Sequence, residues 1–471
     1  MNQPDEVQPW QISASDLQRR YRDGSLTPRA VAESCLARLD VVNPQLNAVV
    51  ARRDTAVLEE ANAAGARFAA GRPLSALDGI PLSIKDNLLM RDLPTTWGSP
   101  ALREHQPAVE ELAVARARAG GALLIGKTNV PEFALEGYTR NRLFGTTRNP
   151  WNTALTPGGS SGGAVASVAA GVTPLALGTD GGGSIRRPAS HCGLVGLKPS
   201  IGALPREHTL PSLLLDFEVV GPIARTVADV ALLFNAVRGA ATTDRRSLAA
   251  QAAQAARRHE AALRVLYVPT LGGAPVDAEI AASCAAAARR LEQLGHGVTE
   301  GALPLALDFM TEAWPLVGQV GLASMFARLP AWREGASPQF LEMAERGARV
   351  AAAQLWEVIE SVEQLRRDCA RLFAEIDVIV TPAAAALPWP ADEVYPPVIA
   401  GQPVGPRGHA VFTAWVNAAG LPALALPAQP SASGLPIGIQ MIAGYGGDDL
   451  LLALGADYEA AAPWADRRPS L

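Results

Sequence analysis

The chain has 471 residues, 48% hydrophobic and 18% charged, with a formal net charge of −5, a globular composition that supplies a sizeable core. That charge gives no electrostatic reason to bind nucleic acid or an anionic membrane surface. The start MNQPDEVQPW lacks the segments of a secretory signal, no unbroken run of about 20 apolar residues occurs, and Cys35, Cys192, Cys284 and Cys369 form no CxxC pair, so a cytoplasmic protein with reduced thiols is expected.

Residues 13 to 42 read as two helices. Ser13 caps the first; Thr27 caps the second, with Pro28 at its first position and Val31, Cys35, Leu39 and Val42 as its apolar stripe. Asn43-Pro44 is expected to end it, and an alanine-rich helix follows over 52–70. Ile80, Leu82 and Ile84 alternate as a strand does and deliver Lys85 at its end. A helix over 108–119 stops at Gly120-Gly121, and Ala122 to Ile125 reads as a buried strand. Gly121 to Thr128 matches G-x-x-x-x-G-K-T, but the four intervening residues are that strand and not a loop, which argues against nucleotide binding.

The most informative stretch runs from Thr156 to Lys198. Ala164 to Ala170 reads as a thin helix stopped by Gly171, and Pro174 to Thr179 as a short buried strand. Asp180 and Gly181 to Gly183 then deliver Ser184 on a tight turn, with Pro188 in the first turn of the next helix. Further on, Leu263–Val268 is a strand and Asp277–Leu294 a helix ended by Gly295. Residues 305–335 are rich in aromatic residues and methionine, with Pro315 and Pro330 as interruptions. Ser337-Pro338 opens a helical region to about Glu375. Val378–Val380, Leu421–Leu426 and Ile437–Ile442 are strands, Pro382 to Pro406 is a loop, and Asp448 caps a final helix. The alternation of strands and helices implies an α/β fold, and the absence of a linker favours one domain over two.

Two serines, Ser160 and Ser184, therefore sit on glycine-rich turns. Successive backbone N–H groups in such turns form an anion-binding concavity, so a serine there can attack a carbonyl while the N–H groups hold the oxyanion. Two bases are open to such a nucleophile. Gly158 to Gly162 satisfies the G-x-S-x-G elbow of a Ser-His-Asp hydrolase, for which His191, His208, His259, His296 and His409 are available and His409 is the best placed. Alternatively Lys85, partly buried at the end of its strand, has a depressed pKa and serves as the base. No HExxH or clustered Cys/His spacing points to a metal.

The second reading gains specificity from a resemblance. GGSSGG, GTDGGGSIRRPA and CGLVGLKP, with GIPLSIKDN, GALLIGKTNVPEFA, GTTRNPWN and GLPIGIQMIA, resemble the motifs of the amidase signature family over about residues 10 to 460. The resemblance implies a single α/β domain over 1–471 with a central mixed sheet covered by helices. Its signature core would span about 75–235 and its variable substrate-side region about 240–375. It implies Lys85 as base, Ser160 as a bridging serine after a cis peptide bond, and Ser184 as nucleophile. The N–H groups of Gly181, Gly182, Gly183 and Ser184 would form the oxyanion hole. Asp180 and Arg186 are read as structural. Phe133, Leu135, Tyr138, Gly158, Gly159 and Trp314 are candidate substrate contacts, and the aromatic cluster at 309–332 hints at an apolar or aromatic substrate.

The implied activity is hydrolysis of small-molecule amides, extending to anilides or carbamates, with no cofactor or metal. Homodimers are frequent in the family. The glutaminase subunit of tRNA-dependent amidotransferases is the alternative; the stretch ending in RYDG that marks that branch has no counterpart in AWPLVGQVGLASMFARLPAWREG. A non-catalytic binding protein is disfavoured because all three triad positions are filled.

Overall fold

A computed structural model of the chain describes residues 7–256 and 262–471. The first six residues of the N-terminal stretch and the candidate His259 lie outside the described residues. One mixed sheet of eleven strands runs through the molecule. Its strands are β1 (Val49–Arg52), β2 (Pro81–Lys85), β3 (Leu123–Thr128), β4 (Leu175–Asp180), β5 (Val195–Lys198), β6 (Val219–Ala224), β7 (Arg264–Tyr267), β8 (Gly297–Glu300), β9 (Val378–Pro382), β10 (Ala423–Pro427) and β11 (Gly438–Ala443). They lie in the order β1-β3-β2-β4-β6-β5-β10-β11-β9-β7-β8.

The centre explains why the site forms where it does. Strand β2 pairs in parallel with both β3 and β4, so the carboxyl ends of β2 and β4 lie side by side. All residues of these three strands are buried, as expected for strands covered by helices on both faces. Ile80, Leu82 and Ile84 are fully buried in one core cluster with Leu175, Leu177 and Val220. Burying an aliphatic side chain of this size is worth roughly 1.5–3 kcal/mol, so this core fixes strand β2 and with it the position of Lys85.

Several boundaries differ from the sequence reading for identifiable reasons. The second helix runs Pro28–Leu46, through Asn43-Pro44. Pro44 falls in the last turn, and the Asn43 side chain accepts the N–H groups of Ala48 and Val49 at 2.9 Å each, closing the helix end beyond the proline. Helix Met310–Arg328 likewise carries Pro315 inside it. The region after Ser337 is two helices, Pro338–Gly347 and Ala352–Glu375. Asp448 is the first residue of the last helix and not its cap. Its carboxylate turns inward to accept the N–H and hydroxyl of Ser200 at 2.8 and 2.7 Å. Among the described residues, no helix is long and apolar enough to cross a membrane, and the four cysteines are free and buried.

Candidate active site

Lys85 ends β2 with its side chain fully buried. Its Nζ lies 2.8 Å from Ser160 Oγ, 2.8 Å from Thr179 Oγ1 and 3.1 Å from the Thr179 carbonyl. Asn87 Nδ2 also donates to Thr179 Oγ1, at 2.9 Å. A neutral amine has two N–H groups and one lone pair. Thr179, from the neighbouring strand β4, offers an acceptor to each N–H, which leaves the lone pair for the Ser160 hydroxyl proton. Burial lowers the Lys85 pKa to about 7, against the charges of Glu218 and Asp180, which raise it; Arg206 lowers it further. The neutral form is therefore well populated near neutral pH.

The two serine turns are tied together. The Gly159–Ser160 peptide bond is cis. Ser161 N–H donates to the Ser184 carbonyl at 3.1 Å, and its hydroxyl to the Thr179 carbonyl at 3.1 Å. Ser161 thus bridges the turns and shares the Thr179 carbonyl with Lys85. A Cβ on Gly159 would come within 2.2 Å of the Tyr138 carbonyl oxygen, so only glycine allows the Ser160 turn to pack there. Ser184, with 7% of its surface exposed, lines a cleft of about 110 Å³. Among the described residues, its hydroxyl makes no hydrogen bond to the protein. The Lys85–Ser160 contact is formed and the Ser160–Ser184 contact is open.

Asp180 and Arg186 hold the turn that presents Ser184. Their buried side chains form two parallel bonds, Nη2 to Oδ1 at 2.9 Å and Nε to Oδ2 at 3.0 Å. Burial alone would raise the Asp180 pKa, but Arg186, Lys198 and Asn417 hold it far below the usual carboxylate range. The same carboxylate accepts the N–H groups of Gly183 at 2.7 Å and Ile185 at 3.0 Å. Gly183, at φ +112°, thus directs its N–H at Asp180. Among the described residues, no protein acceptor takes the N–H of Gly181, Gly182 or Ser184.

Of the candidate substrate contacts, Trp314 and Leu135 line the cleft. Phe133 does not: it is 1% exposed and packs edge-on against Trp97, Phe326 and Phe340 at ring distances of 5.5, 5.8 and 5.2 Å. It opens onto an adjoining cavity of about 130 Å³ shared with Asn87 and Glu218. Tyr138 is buried beneath Arg140, and Gly158 packs on Pro188 and His191. Neither Tyr138, Gly158 nor Gly159 lines the cleft. A larger cavity of about 530 Å³, lined by Arg366, Phe373 and Tyr445, contains none of Lys85, Ser160 and Ser184.

Three of the four described rival histidines already have one ring nitrogen in a hydrogen bond. His191 Nε2 lies 3.2 Å from the Ala386 carbonyl, and His296 Nδ1 accepts the Leu263 N–H at 3.3 Å. His208 is exposed beside Glu207. His409 lines the cleft, but its Nε2 accepts from Arg187 Nη1 at 2.8 Å. Among the described residues, no histidine hydrogen-bonds to Ser160 or Ser184. Gly126, Lys127 and Thr128 are the end of β3, not a loop, and Lys127 Nζ is spent on Leu88 O, Thr95 Oγ1 and Asp86. Thr179, Glu218 and Arg187 are not among the sequence-derived candidates, although Thr179 and Arg187 sit inside the GTDGGGSIRRPA motif.

A family model described as Amidase matches residues 30–452. The chain belongs to the amidase signature family. It is 34% identical to an acylamidase of Rhodococcus erythropolis, over 98% of this chain and 97% of that protein. It is also 32% identical to one of the subunits of the glutamyl-tRNA(Gln) amidotransferase of Picosynechococcus sp., over 92% of this chain and 95% of that protein. The solved structure of a bacterial aryl acylamidase of the same family superposes with a TM-score of 0.87 at 29% identity, covering 96% and 97% of the two chains. As a family member the chain is an amide-hydrolysing enzyme acting on carbon–nitrogen bonds, and the α/β fold with its large mixed sheet matches that of the family.

Proposed function

We propose that this enzyme cleaves small-molecule amides through an acyl-serine intermediate, with Ser184 as nucleophile, Ser160 as relay and Lys85 as base. The observation that carries the reading is the contact set of Lys85: two acceptors on Thr179 and the hydroxyl of Ser160 within 3.1 Å of one buried Nζ. Neutral Lys85 takes the Ser160 proton as Ser160 takes the Ser184 proton. Ser184 Oγ then forms a bond to the amide carbon while the carbonyl oxygen gains the negative charge. The N–H groups of Gly181, Gly182 and Ser184 receive that charge; losing one such donor costs about 3 kcal/mol. Collapse breaks the carbon–nitrogen bond, and the proton held on Lys85 returns through Ser160 to the leaving amine. Water attacks the Ser184 ester by the same relay and releases the acid.

Anilides and carbamates fit the same chemistry, since only the leaving group or the atom beside the carbonyl changes. The purified chain is assayed on an aliphatic amide, an anilide, an aryl carbamate and glutamine, with intact-mass measurement of the quenched reaction. Turnover of at least one of the first three, an acyl adduct on Ser184, and loss of both in Ser184→Ala and Lys85→Ala are expected. Wild-type turnover by either variant would sink the relay. The likeness to a component of a tRNA-dependent amidotransferase favours a second reading, for which the signature is activity on glutamine that appears only when partner proteins of such a complex are supplied.

A further inference from the structure

The charged groups around the cleft are not paired one to one. Glu218 on its wall is bound by Arg206, Nη1 to Oε1 at 2.6 Å, and Arg206 also holds Glu111 at 2.7 Å. At the exposed mouth, Arg407 lies over the Trp314 ring at 5.6 Å and acts on the carboxyl of Glu136, lowering a pKa that burial raises. Arg186 is consumed by Asp180. Arg187 is different: among the described residues it has no carboxylate partner.

Arg187 is 6% exposed and lines the cleft three residues after Ser184. Its Nη1 donates to His409 Nε2 at 2.8 Å, and its Nε approaches the Gly183 carbonyl at 3.4 Å. Among the described residues Nη2 takes no protein acceptor, and Arg187 lines the cleft, so that corner of the guanidinium is left for a ligand there. Burial, first, and the charge of Arg187 keep His409 neutral, with its pKa well below 6.5. A neutral imidazole orients the guanidinium but does not cancel its charge. Burial lowers the Arg187 pKa only to about 10, so it remains a cation at neutral pH. A buried charge without a partner is costly, and a planar fork of N–H donors suits a carboxylate.

The geometry points to an anion subsite in the reaction cleft: Arg187, oriented by His409, receives a carboxylate carried by the substrate amide, beside the apolar wall of Leu135, Leu214 and Trp314. The substrate class is therefore a carboxylate-bearing amide. The carboxylate can stand on the acyl side, as in a hemi-amide of a dicarboxylic acid, or on the amine side, as in an N-acyl amino acid. This inference rests on the amide-hydrolase reading of Ser184.

Two matched pairs test it: an acyl anilide against the same anilide ending in a free carboxylate, and an N-acyl ethylamine against the N-acyl glycine. In one pair, the carboxylate member is expected to exceed its neutral match by about tenfold or more in kcat/KM, mostly through KM, as a charge-assisted hydrogen bond would provide. Arg187→Gln should bring that ratio to about one, and Arg187→Lys should restore part of it. A purely structural Arg187 would lower both members of a pair alike, which overturns the inference, as does a wild-type ratio of one or less in both pairs. Calorimetric binding of the same pairs to Ser184→Ala needs no turnover. There, tighter binding of a carboxylate member, lost on adding Arg187→Gln, supports the subsite even if hydrolysis fails, and equal binding in both pairs overturns it. Failure of the hydrolase reading shows separately, as no turnover of any member by the wild type.

Discussion

Replacing Thr179 by valine separates positioning of Lys85 from its mere presence. Valine keeps the shape of threonine but removes Oγ1, which lies 2.8 Å from Lys85 Nζ and accepts from Asn87 at 2.9 Å. Neutral Lys85 then has one fixed acceptor, the Thr179 carbonyl at 3.1 Å, and its second N–H competes for Ser160 Oγ. The lone pair is no longer confined to the Ser160 proton. The bond is worth about 0.5–1.5 kcal/mol to the neutral amine and about 1.5–3 kcal/mol once Lys85 takes the proton, a difference of about 1–1.5 kcal/mol, so the plateau kcat should fall by about 5- to 12-fold. The lysinium form donates three N–H groups and the neutral form two, so losing an acceptor disfavours the charged form more. The acid limb of the kcat profile, set near pH 7 in the wild type by a base that works when deprotonated, should therefore move to lower pH. Steady-state profiles of wild type, Thr179→Val and Thr179→Ser are compared on one anilide, with thermal melts to confirm folding. Thr179→Ser keeps the hydroxyl and should stay close to wild type. A Thr179→Val enzyme with wild-type plateau and limb, or a serine variant as impaired as valine, would refute this account of the site.

Two further outcomes follow from the charges near Lys85. Glu218 raises the Lys85 pKa, so Glu218→Gln should shift the acid limb of the same profile below its wild-type position; an unmoved limb would show that Glu218 does not act on Lys85. Asp180→Asn leaves Arg186 buried without its carboxylate, which should cost about 3–5 kcal/mol in a denaturant titration, whereas a loss below about 1 kcal/mol would mean that Asn417 and Gln440 suffice to hold the guanidinium.

How much of this could be read beforehand depends on whether a residue's partners are local. The strand that carries Lys85 was legible because Ile80, Leu82 and Ile84 alternate, and all three are fully buried in the sheet. The serine turns were legible because glycine clusters mark backbone that nothing larger can occupy, as Gly159 against Tyr138 shows. The helix end at Asn43-Pro44 misled because proline is a reliable stop only before the last turn, and the Asn43 side chain supplied the missing closure six residues on, to Val49. Asp448 misled in the same way: a residue placed to cap its own helix found Ser200, 248 positions away in sequence. Thr179 carried no signal of its own, since its role exists only once β2 and β4 lie side by side.

The neighbouring pair Arg186 and Arg187 shows where such reading stops and what the fold adds. On a helix, successive residues point about 100° apart, so two identical side chains in sequence meet different surroundings. Arg186 turns toward the end of β4 and the middle of β11, where Asp180, Gln440 and Asn417 surround its guanidinium and no donor is left for a ligand. Arg187 turns toward the cleft, where its hydrogen bonds go to a neutral histidine and a carbonyl and, among the described residues, no carboxylate pairs with it. The first arginine holds the turn that presents Ser184, and replacing it should cost stability. The second spends little of its charge on the fold, so replacing it should alter which substrates are taken up more than whether the chain folds. Comparing Arg187→Gln with Arg186→Gln in the same denaturant titration and the same substrate pairs separates the two roles: a large loss of stability with both, or a shift in substrate preference with neither, would mean that both guanidinium groups are structural.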